Sequence, residues 1–181
     1  MEAHEDHNNP RFNNDVAIIT VTEPFDFSDP NVQPIEMFLL EDAEIPAETV
    51  CNVTGWGLLY GDPFGRPPNA LQWIQLPLVS AADCADEFSG DATITDGMVC
   101  AGSSGHTTCN VSNNIVVDDD DDDDDDELFQ GDSGGPMVCP DEAGVGKLAG
   151  LVSFGHSGCT SAGVFTKVAF YQDWIQDRLQ P

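Results

Sequence analysis

Apolar residues along this chain come in short runs bounded by turn-forming residues. The runs cover residues 16–21, 49–55, 71–79, 147–153 and 163–168, and that rhythm predicts the strands of an all-β barrel or sandwich. Ser80, followed by Ala81-Ala82-Asp83, places a hydroxyl cap before an acid in the first turn, which predicts a short helix over 81–88. Phe170, Trp174, Ile175 and Leu179 fall at helical spacing, so an amphipathic helix over 170–179 is expected to close the chain. No internal repeat is present. The one low-complexity segment is a run of nine aspartates, 118–126, which cannot pack because its charges repel and nothing apolar is at hand to bury.

Composition narrows the class. The 181 residues suffice for one well-sized core, as a single domain or a small two-barrel unit. No apolar stretch approaches a bilayer span, so no membrane association is expected. Residues 1–10 are polar and acidic, unlike a secretory signal, whereas six cysteines without metal-type spacing fit a disulfide framework made in an oxidising compartment. The two facts are reconciled if the natural N-terminus is missing, and that is the expectation. The formal charge is −28 against only five basic residues, Arg11, Arg66, Lys147, Lys167 and Arg178. Such a surface repels phosphate backbones and excludes nucleic acid as a partner. Without the ten acids of 118–127 the charge is still −18, so the acidity is general. A calcium or mineral site in the aspartate run is the weaker reading, because an ordered site needs defined turns and varied ligands. No metal and no cofactor is expected. Asn52-Val53-Thr54 is a glycosylation sequon on an expected strand beside Cys51.

The string Gly131-Asp132-Ser133-Gly134-Gly135-Pro136 carries the chemistry. A serine hydroxyl attacks a carbonyl only if it is exposed, offered to a base and flanked by amides that bind the developing oxyanion. Glycines on both sides of Ser133 let the backbone turn tightly enough to aim those amides.

This string resembles the nucleophile loop of the chymotrypsin and trypsin family of serine proteases. The resemblance extends to Asn13-Asn14-Asp15-Val16-Ala17-Ile18-Ile19, Cys51-Asn52-Val53-Thr54-Gly55-Trp56-Gly57, Leu76-Pro77-Leu78-Val79-Ser80, Gly97-Met98-Val99-Cys100-Ala101-Gly102, Val152-Ser153-Phe154-Gly155 and Gly163-Val164-Phe165. It implies a double six-stranded antiparallel β-barrel with a C-terminal helix. The second barrel is essentially complete in residues 43–181. Residues 1–42 are what remains of the first barrel and the crossing between the two. It further implies a secreted, monomeric serine endopeptidase acting on protein or peptide substrates and met by protein protease inhibitors. Ser133 is the implied nucleophile, Asp15 the residue that orients the histidine, and the amides of Gly131 and Ser133 the oxyanion hole. Asp132 is the implied partner of the ammonium group that zymogen cleavage releases. Cys51 is implied to pair with Cys139, Cys84 with Cys100, and Cys109 with Cys159. Ser153, Phe154 and Gly155 lie on the implied substrate-pairing strand. Thr107 is the implied pocket base, with Gly155 and Gly163 as its walls. A deep slot over an uncharged base suits large apolar or aromatic side chains and offers nothing to a buried Lys or Arg.

Two departures stand out. The family's histidine lies further upstream of the aspartate than the fourteen residues before Asp15 allow. His4, His7, His106 and His156 all read as surface or loop residues, so the chain is expected to be inactive as written. A non-catalytic homologue that binds partners is the alternative. The second departure is residues 111–130. Excising these twenty restores the family spacing from Cys109 through Asn110 to Gly131, and their ends, Val111-Ser112 and Leu128-Phe129-Gln130, can be encoded by splice-site sequences. The acidic insertion therefore reads as a retained intron.

Overall fold

The computed structural model describes residues 1–42, 44–57, 67–103, 131–156 and 161–179. Thr107, Cys109, Cys159 and the acidic insertion 111–130 lie outside the described residues.

Six strands close into an antiparallel barrel: β3 (Val50–Gly55), β4 (Gln72–Val79), β5 (Met98–Ala101), β6 (Pro136–Pro140), β7 (Gly146–Gly155) and β8 (Gly163–Lys167). Their order around the barrel is β3-β4-β5-β8-β7-β6. Closure leaves these strands no free edge. Alternation decides which side chains face inward. In β3, Cys51 and Val53 are buried while Val50 and Asn52 face out, and the interior fills with Leu76, Leu78, Met137, Cys139, Val152 and Phe165. Outside the barrel, β1 (Glu2–Ala3) pairs only with β2 (Ala17–Ile18).

The run at 16–21 thus yields two strand residues. Ile19 and Val21 are exposed, as are Phe25, Phe27 and Ile35 on the irregular segment that follows. Among the described residues that stretch pairs with no strand, and residues 1–42 contribute the 2-stranded sheet β1–β2. β6 is not apparent in the periodicity, because Pro136 and Pro140 bound a run of only three residues.

Ser80 caps α1 (Ala81–Glu87) as its sequence predicts: its Oγ accepts from the Asp83 N–H at 3.1 Å and donates to Asp83 Oδ2 at 2.6 Å. A Cys84–Cys100 disulfide ties α1 to β5, and a Cys51–Cys139 disulfide ties β3 to β6. The C-terminal helix differs from expectation. Residues Val168–Tyr171 form a 3-10 turn, α2 runs only over Gln172–Leu179, and α2 buries no residue. Its apolar spacing is met by the N-terminal segment instead. His4 stacks on Trp174 at 5.2 Å, the Trp174 indole donates to Glu5, and Arg178 bridges Glu2 and Glu5 at 2.8 Å each.

Residues 36–42 are pinned to the barrel by Phe38, which is buried, and by Lys147, whose ammonium lies 3.1 Å from Asp42 and 3.9 Å from Asp141. The Leu39 amide and then Lys147 hold the Asp42 carboxyl below its ordinary range, and Asp42 in turn raises Lys147. Because Asp42 is depressed in the folded state, its stabilisation is present above the ordinary carboxylate pKa and is lost as pH falls through the depressed value. Lys147 is raised, so its share holds below the ordinary lysine pKa and disappears as pH rises through the raised value. Lys147→Met is therefore expected to lower the urea midpoint at neutral pH, with the gap from wild type closing at both extremes. A gap that stays constant with pH would show the clamp to be packing and not charge.

Candidate active site

Ser133 sits exposed on a turn formed by residues 131–134, directly before β6. The turn is possible because Gly131 and Gly134 adopt φ of +104° and +78°, a region costly for any residue with a Cβ. Three bonds fasten it: Gly134 N–H donates to the Val152 carbonyl at 2.8 Å, the Val152 N–H to the Gly135 carbonyl at 2.9 Å, and Gly135 N–H to the Asp132 carbonyl at 2.8 Å. Asp132 turns away from Ser133 and accepts from the Gly57 N–H at 2.7 Å. A Cβ at Gly55 would overlap its carboxylate, and one at Gly57 would lie 2.6 Å from it. The spacing Gly55-Trp56-Gly57 thus exists to admit Asp132. Among the described residues, neither the Gly131 nor the Ser133 amide donates to any acceptor, and the Ser133 hydroxyl has no hydrogen-bond partner.

Asp15 is brought in by the barrel. The β7–β8 register slips by one residue between Val152 and Phe154, which makes Ser153 a bulge. Such an extra residue re-aims its side chain. The Ser153 hydroxyl accordingly leaves the sheet and donates to Asp15 Oδ2 at 2.7 Å. Three further hydroxyls hold the same segment: Thr95 on Asn13 Oδ1 at 2.7 Å, Tyr171 on Asn14 Oδ1 at 3.1 Å, and Thr166 on the Asp15 carbonyl at 2.7 Å. Burial pushes the Tyr171 phenol up, which keeps it a donor. Thr166 is itself buried, so Thr166→Val should cost about 1–3 kcal/mol by leaving the Asp15 carbonyl unserved. The measurement is a urea midpoint with unchanged slope; a loss near zero would mean that water replaces the hydroxyl.

Asp15 has a partner that sequence reading passed over. His7 Nε2 lies 3.3 Å from Asp15 Oδ1, with both side chains about half exposed. A histidine eight residues from an aspartate gave no signal, because the turn that joins them is not periodic. Its local logic is legible only in the fold: Asn8 and Phe12 take positive φ, and Asn8 Oδ1 accepts from the Phe12 amide at 2.7 Å. Phe12 is thereby laid flat on Phe154, ring centres 4.3 Å apart, and Arg11 covers its other face at 4.4 Å. Phe88, at the end of α1, meets Phe154 edge-on and stacks on His156 at 4.4 Å. His156 is thus no plain loop residue: it is three-quarters covered and 3.7 Å from Asp91. Phe154, Phe12, Phe88 and His156 make an aromatic wall beside the end of β7. There Gly155 pairs with Gly163, two facing positions with no side chains.

The structure therefore brings Asp15 onto Ser153, whose neighbour Val152 is hydrogen-bonded to Gly134 and Gly135 beside Ser133. It places Gly155 and Gly163 side by side. It brings no histidine into hydrogen-bonding contact with Ser133 among the described residues.

A closed six-stranded barrel carrying an exposed serine on a glycine turn, with Asp15 held against β7 by the Ser153 hydroxyl, defines a chymotrypsin-like serine protease fold. The Trypsin family profile matches residues 1–175, and the chain belongs to that family. Chymotrypsin-C of Mus musculus is 35% identical over 182 residues, covering 98% of this chain and 59% of that protein. Serine protease 1 of Rattus norvegicus is 33% identical over 97% of this chain and 60% of its own length. Among solved structures, mouse neuropsin, a serine protease expressed in the limbic system, superposes with a TM-score of 0.58 at 31% identity, over 82% of this chain and 55% of that one. The chain thus spans less than two thirds of the length of these relatives.

Proposed function

We propose that this chain is the nucleophile-bearing part of a secreted serine endopeptidase that cleaves after large apolar or aromatic residues. In that reading Ser133 Oγ attacks the scissile carbonyl, a histidine takes its proton, and Asp15 orients and charge-balances the imidazole. The amides of Gly131 and Ser133 receive the oxyanion, and Asp132 pairs with the ammonium group of the activated form. Residues 43–181 form the second barrel, and residues 1–42 belong to the first barrel and the crossing. The observation that carries the reading is the pair of donor amides that, among the described residues, have no acceptor and flank an exposed hydroxyl, on a turn fixed through Gly134 and Asp132. Donors fixed beforehand cost no reorganisation when charge develops. The slot preference rests on Gly155 facing Gly163, with uncharged Thr107 as its base.

The experiment is a fluorophosphonate probe applied to the protein as secreted by its own cells, with the labelled peptide mapped. Labelling at Ser133 and cleavage after Phe, Tyr or Leu are expected. Cleavage after Lys or Arg would overturn the slot assignment. A secreted protein that stays unlabelled would favour the second reading, a non-catalytic homologue that binds partners, which the lack of a histidine beside Ser133 among the described residues supports. Residues 111–130 are read as a retained intron. Sequencing the transcript should show the Asn110 codon joined to that of Gly131, and aspartate codons in most messages would refute it.

A further inference from the structure

We propose that Asn52 carries an N-linked glycan and that its first sugar lies against Trp73. The inference rests on the secretory part of the function proposed above, and on no catalytic residue. Asn52-Val53-Thr54 has the residue pattern a transferase requires. In β3 the flanking Cys51 and Val53 point into the core, so Asn52 points out, and it is exposed. Its Oδ1 accepts from Gln75 across the strand pair at 3.3 Å, which leaves Nδ2 out of that bond.

The surroundings suit a sugar. Asn52 is in register with Gln75, and Thr54 with Trp73, so the four share the outer face of the β3–β4 pair. Asn52 and Trp73 are then diagonal neighbours, about 7–8 Å apart at Cα and within reach of a side-chain substituent. Trp73 is 66% exposed, and Val50 and Leu71 on the same side of the pair are each 48% exposed. An uncovered indole, with exposed Leu71 two residues before it, offers an apolar face that a sugar can cover. The axial C–H bonds of a pyranose fit the electron-rich face of the indole.

Once folded, β3 is hydrogen-bonded to β4 on one side and β6 on the other, which closes it to an enzyme. Timing removes that obstacle. Cys139, the partner of Cys51, lies 88 residues further on, and synthesis at about 5–20 residues per second takes roughly 4–18 s to reach it. Asn52 enters the lumen as an unpaired chain before its disulfide or β6 can exist. The donor is a lipid-pyrophosphate-linked oligosaccharide. The bond from sugar C1 to the pyrophosphate oxygen breaks, a bond from C1 to Nδ2 forms, the amide gives up one proton, and lipid pyrophosphate leaves; nothing is oxidised or reduced.

The test is translation of the full chain behind a cleavable secretory leader in the presence of microsomes, which reads transfer whether or not the chain folds. The sequence holds one other such triplet, Asn110-Val111-Ser112, so Asn52→Gln, Asn110→Gln and the double variant are compared. A glycosidase-sensitive band that persists in Asn110→Gln and is lost in Asn52→Gln is the expected result. No shift in Asn110→Gln would overturn the proposal. Native protein found only in the cytosol would instead remove the secretory reading, and the microsome result would still report on Asn52 itself. Seating on Trp73 is read by oxidation with N-bromosuccinimide: Trp73 should oxidise more slowly in protein trimmed to its first sugar than in Asn52→Gln, and equal rates would overturn the seating.

Discussion

Hydrolysis of a chromogenic peptide with an aromatic residue before the scissile bond is expected to be undetectable with the purified 181-residue chain. Ser133 Oγ has no acceptor for its proton among the described residues. In an unrelated serine protease with the same triad, removing the histidine costs about 10⁶ in turnover. The Gly131 and Ser133 amides remain, but they stabilise charge only after attack has begun. Activity lost in Ser133→Ala would show the expectation to be wrong. If that activity also vanished in His7→Ala, the histidine beside Asp15 would be the base.

Removal of the Cys51–Cys139 disulfide, by changing both cysteines to alanine, should have the largest effect on stability. The bridge closes 88 residues, and in the chain-entropy account a loop of that length is worth about 4–5 kcal/mol. Both cysteines are fully buried in the barrel core, so their loss also leaves a cavity. Whole domains are stable by only about 5–15 kcal/mol, and the variant should lose most of its cooperative urea transition. The Cys84–Cys100 bridge spans 16 residues, which on the same account is worth about 3 kcal/mol. Midpoints in the reverse order would show that loop closure does not govern these bridges.

The parts of the molecule visible in its sequence are those where a short-range rule acts without competition. β3, β4, β7 and β8 follow from apolar runs that bury side chains in the barrel, by alternation in β3 and almost throughout in β8. The Ser80 cap is local chemistry and sits where it is expected. The glycine turn around Ser133 could be read because its conformation demands residues without a Cβ. Elsewhere tertiary partners decide. Apolar spacing in 170–179 gives a 3-10 turn and then a helix facing the N-terminal segment, because Tyr171 is drawn inward to Asn14. Ser153 as a bulge cannot be seen in β7, since its extra residue shows only against β8. The His7–Asp15 pair and the Phe12–Phe154 stack depend on positive φ at Asn8, Phe12 and Asn14, residues that no pattern marks.

The hydroxyls on Asp15 and Asn14 come from Ser153, Thr166 and Tyr171, which are 138, 151 and 157 residues away in the chain. Contacts of such long separation are costly in loop closure and form late in folding. The carboxylate therefore cannot take its place until almost the whole chain has been made and β7 and β8 have paired. A nascent or clipped molecule that ends before Thr166 can expose Ser133, but the segment around its Asp15 lacks the Thr166 and Tyr171 hydroxyls that hold it. The order of synthesis itself keeps an unfinished molecule from fixing this aspartate.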